Sequence, residues 1–268
     1  MFKIYGQKHL KWYLIFHGIS NLLFYPMERM ANKIYASADD VVAVSETYVN
    51  RAVKVNKKCK NKLSVFLGTD LSYFDKLKEE TKIEYDYDKI RLAYVGTLGH
   101  SYDLKNTMDA LKILKSKGID NIKFIIMGNG PLRDEFENYA KLQDIDYEFT
   151  GRLDYGPMVG KLSSCDIAIN PIKSGSAGSI INKVGDYAAA GIPVINTQES
   201  EEYRKLVEEY NIGYNCANNN PIEMAEKIEI LYNDKNLREL LGKNNRKLAE
   251  DKFDRNKTYK KIIDLLEE

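Results

Sequence analysis

Between residues 90 and 196 the chain repeats one pattern. A short apolar run is followed by a turn rich in glycine or serine, and then by a segment with helical spacing. Runs at 90–95, 123–127, 147–150, 166–170 and 194–196 read as strands. The turns behind the first four are Gly96-Thr97-Leu98-Gly99, Gly128-Asn129-Gly130-Pro131, Gly151-Arg152-Leu153 and the loop 174–179. The spacing predicts helices over 103–117, up to 142, up to 164, and around 182–190. Strand and helix in strict alternation predict an α/β fold built on a doubly wound parallel sheet. In such sheets ligands bind beyond the carboxyl ends of the strands, where these four turns lie.

The rest of the chain is less regular. Residues 11–16 read as a strand ending at His17-Gly18, and 21–36 have helical spacing. Val41 to Val44 is a second strand, apolar throughout as in a buried parallel sheet. Ser45 then stands as a helix N-cap, and 63–67 is a third strand closed by Gly68-Thr69-Asp70. Residues 72–89 are almost all polar and read as a linker or exposed arm. They divide the chain into a partial first lobe, 1–71, and a main domain, 90–254, followed by a C-terminal helix, 255–268.

Composition removes several classes of function. With 44% hydrophobic and 29% charged residues the chain is that of an ordinary globular protein. It has no transmembrane run, and polar residues interrupt any leader-like apolar core at its start. Three scattered cysteines fit neither a disulfide framework nor a zinc site, and point to a reducing cytoplasm. The third position of a dinucleotide glycine fingerprint falls on Arg133, no glycine loop is followed by a Walker lysine, and no nucleic-acid motif is present. Charge is uneven. Residues 1–64 hold eleven Lys/Arg against four Asp/Glu, a net of +7, leaving −6 for the rest of a chain whose total is +1. Such a basic, aromatic start is either a solvated face or a peripheral contact with an anionic membrane.

The chemistry concentrates in 182–195. Lys183 and Asp186 share one face of a short helix, Ala188 to Ala190 allow close packing, and Gly191 and Pro193 end the helix. Such a pair is either an exposed ion pair or a two-part ligand site, with the cation on a phosphate and the carboxylate on sugar hydroxyls. Glycine turns at helix N-termini favour an anion such as a diphosphate, although each turn alone also serves local geometry.

Several phrases, in order, resemble one family. They are Leu14-Ile15-Phe16-His17-Gly18, Ala38-Asp39-Asp40-Val41-Val42-Ala43-Val44-Ser45-Glu46, Leu67-Gly68-Thr69-Asp70 and Tyr94-Val95-Gly96-Thr97-Leu98. Further along come Met127-Gly128-Asn129-Gly130-Pro131, Phe149-Thr150-Gly151-Arg152-Leu153, Cys165-Asp166-Ile167-Ala168-Ile169-Asn170-Pro171 and Asp186-Tyr187-Ala188-Ala189-Ala190-Gly191-Ile192-Pro193-Val194. Together they resemble the retaining GT-B glycosyltransferases of family 4, the group 1 type that includes capsule and lipopolysaccharide enzymes.

The resemblance implies a Rossmann-like C-terminal lobe that binds a nucleoside-diphosphate sugar, a UDP-sugar among the candidates, and a remnant of the N-terminal lobe. It implies phosphate contacts from the backbone of Gly96, Thr97, Leu98 and Gly99, with Gly128 and Gly130 lining the cleft. Arg152 and Leu153 would meet the nucleobase, Asp186 the ribose and Lys183 the diphosphate, while His17 would face the donor sugar. Where the family carries a first acid, eight positions before Asp186, this chain has Gly178, so sugar contacts fall to backbone groups from Ser176 to Ser179. Two phosphate cations of the family are Thr97 and Tyr102 here, leaving Lys183 and, in part, His100. The design requires no metal and no cofactor beyond the donor substrate. The acceptor is a glycan or a lipid-linked glycan, met in the cytoplasm or at the inner face of the membrane. Only ten residues precede Lys11, so the first lobe is short, and exposed apolar surface on it would suit a partner or a dimer. The rival functions are a nucleotide-holding fragment without transfer and a GT-B sugar-nucleotide epimerase.

Overall fold

The computed structural model describes residues 20–81, 83, 88–176 and 180–267, with residues 20–23 as backbone only. The strand expected at 11–16, His17 and Ser179 lie outside the described residues.

The chain opens with α1 (Ser20–Ser37), β1 (Asp40–Ala43), α2 (Glu46–Val55) and β2 (Asn61–Ser64). The strands β1 and β2 pair in parallel as a two-stranded sheet. This unit is too small to cover itself: Tyr25, Met27, Met30 and Ile34 of α1 are half or more exposed. Ser45 holds the expected N-cap position in extended backbone, but its side chain makes no cap bond.

The first half of the stretch read as a linker is a helix. In α3 (Leu71–Glu80) the carboxylate of Asp70 caps the helix by accepting from the Tyr73 amide at 3.0 Å. Charged residues dominate, but Leu71 and Phe74 are buried and Leu77 packs on the same core. This is a narrow apolar stripe on a polar helix. Gly160 of the facing helix makes the approach possible, since a Cβ there would fall 2.6 Å from Thr81.

The main sheet is formed by β3 (Ile90–Val95), β4 (Ile122–Met127), β5 (Asp146–Gly151), β6 (Ile167–Asn170), β7 (Val194–Asn196) and β8 (Gly213–Asn215). Its order is β5-β4-β3-β6-β7-β8, all parallel. The helices between are α4 (Leu104–Ser116), α5 (Arg133–Gln143), α6 (Tyr155–Ser163), α7 (Lys183–Ala190) and α8 (Glu201–Glu209). After β8 come α9 (Pro221–Asn233), α10 (Lys235–Leu248), a π-turn (Ala249–Phe253), α11 (Arg255–Thr258) and α12 (Lys260–Glu267). The single last helix expected from Arg255 is therefore two short ones, and β8 was not foreseen.

Successive strand residues point to opposite faces, and on the central strands both faces are largely buried. Leu92, Tyr94, Phe124, Ile126, Ile167 and Ile169 pack under α4, α5 and α9. Ala93, Ile125, Met127, Ala168 and Val194 pack under α3, α6, α7 and α8. Ala93 and Ala168 of the two central strands and Ala188 and Ala189 of α7 belong to this second core. Gly191 ends α7 in the left-handed conformation at φ 69°.

The order reverses between β3 and β6, and the ladder there covers only Leu92↔Ile167 and Ala93↔Ala168. Beyond it the strands part. The Tyr187 hydroxyl fills the gap, accepting from the Val95 amide at 3.0 Å and donating to the Ile169 carbonyl at 3.3 Å.

Candidate functional site

The parting of β3 and β6 opens the crevice where doubly wound sheets bind ligands. Lys183, the first residue of α7, reaches into it from one face of the sheet and ends among residues of the other. It is 9% exposed, and its Nζ donates to the Tyr94 hydroxyl at 3.2 Å. The amine lies over the rings of Tyr102 and Tyr94, 3.8 and 4.4 Å from their centres. A Cβ on Gly96, whose φ is 147°, would fall 2.2 Å from Nζ, so glycine there leaves room for the lysine. Burial alone pushes the Lys183 ammonium down to about 7.

Asp186 sits one turn further along α7. Its Oδ1 accepts from Thr69 Oγ1 and from the Tyr155 hydroxyl, each at 3.0 Å. Burial raises its carboxyl, with these two bonds and the Arg255 charge working the other way. Tyr155 opens α6 directly after the Gly151-Arg152-Leu153-Asp154 turn and stacks on Tyr73, with ring centres 6.1 Å apart. Burial also raises the Tyr155 phenol, which stays protonated as a donor.

The turns contribute differently from expectation. Three of the four amides expected to meet phosphate are engaged inside the fold. Gly96 N–H donates to Met127 O, Leu98 N–H to Asn129 O and Gly99 N–H to Thr97 O. Among the described residues the Thr97 amide shows no partner, and its side chain is exposed. Gly128 and Gly130 are needed for packing: a Cβ on them would fall 1.8 Å from Gly96 O and 2.3 Å from Leu98 O. The two glycine turns thus lock on each other, and Leu98 is fully buried.

Arg152 is exposed, while Leu153 is partly buried against the core. His100 is exposed at the rim. It lies near Glu135, whose carboxyl is lowered first by its bond to Lys105, then by Lys173 and His100. Ser176 donates its amide to Lys173 O at 3.1 Å, and the Gly175 amide donates to Glu199 Oε2 at 3.1 Å. The Tyr102–Ile172 bridge and the Lys173 amide on Ser101 O lay this loop beside the first turn.

Lys183 therefore meets Gly96 and, through Tyr94 and its bond to Thr97 O, the first turn, while Asp186 meets the third through Tyr155. Sequence reasoning missed Tyr94, Tyr187, Thr69 and Tyr155. An aromatic residue in a strand reads as core, and Thr69 lies far from Asp186 along the chain. The one local signal was Tyr155, placed directly behind a glycine turn.

The profile of the glycosyl transferases group 1 family matches residues 75–248. The capsular polysaccharide biosynthesis glycosyltransferase CapM of Staphylococcus aureus is 26% identical over 251 residues, covering 88% of this chain and 62% of CapM. The probable glycosyltransferase WbjE of Pseudomonas aeruginosa is 23% identical over 243 residues, covering 82% of this chain and 59% of WbjE. The chain thus spans about six-tenths of the length of these curated relatives. Among solved structures, Anabaena HepE in complex with UDP superposes with a TM-score of 0.72 at 16% identity, over 89% of this chain and 66% of HepE. That likeness shows a common GT-B fold. With its doubly wound sheet, its crevice at the strand reversal and the family profile over most of its length, the chain belongs to the glycosyl transferases group 1 family.

Proposed function

We propose that this chain binds a nucleoside-diphosphate sugar in the crevice between β3 and β6 and takes part in transferring its sugar, with retention of configuration, to an acceptor hydroxyl. One observation carries the reading. A buried lysine with no carboxylate bonded to it among the described residues stands at the topological switch point, one helical turn from a carboxylate held by two hydroxyls. Lys183 neutralises the diphosphate as it departs, which is electrostatic stabilisation of the leaving group. Asp186 accepts from the ribose hydroxyls, with Thr69 and Tyr155 fixing its orientation. The turn after β5 borders the nucleobase. His17, which lies outside the described residues, faces the donor sugar from the first lobe.

UDP is the first nucleotide to test, because HepE is solved with UDP and with UDP-glucose. A glycan or lipid-linked glycan acceptor agrees with the capsular polysaccharide role in the name of CapM. The basic residues of 1–64 suit an anionic surface near such an acceptor.

The test is a thermal-shift panel of UDP, GDP, ADP and their sugars, followed by calorimetry with the best binder. One nucleotide should raise the melting temperature, and Asp186→Ala should weaken it about tenfold or more, the loss of hydrogen bonds to a charged group. Unchanged affinity in Asp186→Ala would sink the assignment of the ribose site.

A further inference from the structure

Lys183 has unusual surroundings for a buried cation. The rings of Tyr94 and Tyr102 meet edge to face, with centres 5.6 Å apart, and both lie against Nζ. The Tyr94 hydroxyl donates to Thr97 O at 2.8 Å, so its lone pairs remain for the amine. The backbone of Gly96 closes another side. Tyr102 is fixed by its amide on Gly99 O and by the bridge to Ile172.

Among the described residues, the titratable and charged groups on the elements around it are few. Tyr94 comes from β3 and Tyr102 from the turn before α4. Asp186, on α7 itself, is bonded to Thr69 and Tyr155. His100 and Lys173, on the flanking turns, lie near Glu135, which pairs with Lys105 at 2.7 Å. Burial, with Tyr187 and Tyr102 nearby, keeps the Tyr94 phenol protonated. Ring faces and one phenol oxygen attract an ammonium, but they are weaker partners than a full counter-charge.

We propose that Tyr94 and Tyr102 are positioning residues that hold Lys183 in a dry cage with no carboxylate bonded to it among the described residues, so that the donor's diphosphate is its first full counter-charge and draws a proton onto the amine as it binds. This rests on the donor-site reading above. The free lysine, brought down to about 7, is partly deprotonated from there upward. A bound diphosphate favours the ammonium. Above the free-site value, binding takes up a proton, so affinity falls as pH rises, by up to about tenfold per pH unit until the bound-site value is reached. Well above about pH 6 the terminal phosphate is already ionised and its own titration drops out.

The experiment is calorimetry of the whole chain with UDP from pH 7.5 to 9.5, in buffers of different protonation heat. Uptake approaching one proton is expected, with the dissociation constant rising about tenfold per unit at first. Tyr102→Phe keeps the ring and should keep both effects. Tyr102→Ser admits water to the amine and should flatten the profile in this window, with circular dichroism checking that it folds. Wild-type protein that binds UDP with pH-independent affinity and no proton uptake overturns the cage and leaves the donor site standing. So does a folded Tyr102→Ser with the wild-type profile. Absence of binding by UDP, GDP and ADP at every pH overturns the donor-site reading and the cage with it.

Discussion

A lysine sealed among aromatic rings costs the fold stability, because burial disfavours its charged form. The sign follows from the two protonation states. Unfolded, Lys183 titrates near 10.5; folded, near 7. Between those values the unfolded chain binds more protons, so this group makes stability rise with pH, and its penalty is fully in force below about 7. Lys183→Met should therefore raise the stability of the free protein by about 1–3 kcal/mol at neutral pH and remove that slope. Chemical denaturation at pH 7 and pH 10 measures both. That Lys183 and Asp186 stand one turn apart on a short helix was legible from their spacing. Their partners were not. Tyr94 sits in an apolar run where any large side chain fits, and Thr69 reaches Asp186 only because the chain crosses beside α7. Spacing along a helix is local information, whereas what a side chain touches is decided by the packing of other elements.

Among the elements, α7 bears most on the site, and Tyr187 anchors it. Its hydroxyl serves two buried backbone groups that the diverging strands leave without ladder partners. Tyr187→Phe should cost about 1–3 kcal/mol in urea unfolding, since the Val95 amide and the Ile169 carbonyl lose that partner together. The five foreseen strands of the main sheet were legible because each is bounded by a turn and carries apolar or aromatic residues, even β5, where Tyr147 and Phe149 alternate with Glu148 and Thr150. β8, Gly213–Asn215, was not, being three residues with little apolar character. α3 was misread for the opposite reason. Its charges mask a stripe of Leu71, Phe74 and Leu77, and burial of that stripe depends on Gly160, far away in sequence.

Across the whole molecule, the chain passes from β2 into α3 at residues 68–70 and comes back beside the same place at 253–256. Thr69 N–H donates to Phe253 O at 2.8 Å and Arg255 N–H to Thr69 O at 3.0 Å, while the Arg255 guanidinium donates to Gly68 O at 2.7 Å. Gly68 is required there, because a Cβ would fall 1.9 Å from Phe253 O. Gly68→Ala should separate the two passages and displace Thr69 from Asp186. A fall in nucleotide affinity with unchanged circular dichroism would be the expected result; unchanged affinity would disconnect the crossing from the site. The crossing has a mechanical consequence as well. Two backbones bonded edge to edge behave as a ribbon, which flexes readily across its flat side and resists shearing along its length. Any swing of the β1–β2 unit about this ribbon would pull on Thr69, and through it on the carboxylate of Asp186, so the orientation of that carboxylate and the attitude of the small sheet share one axis.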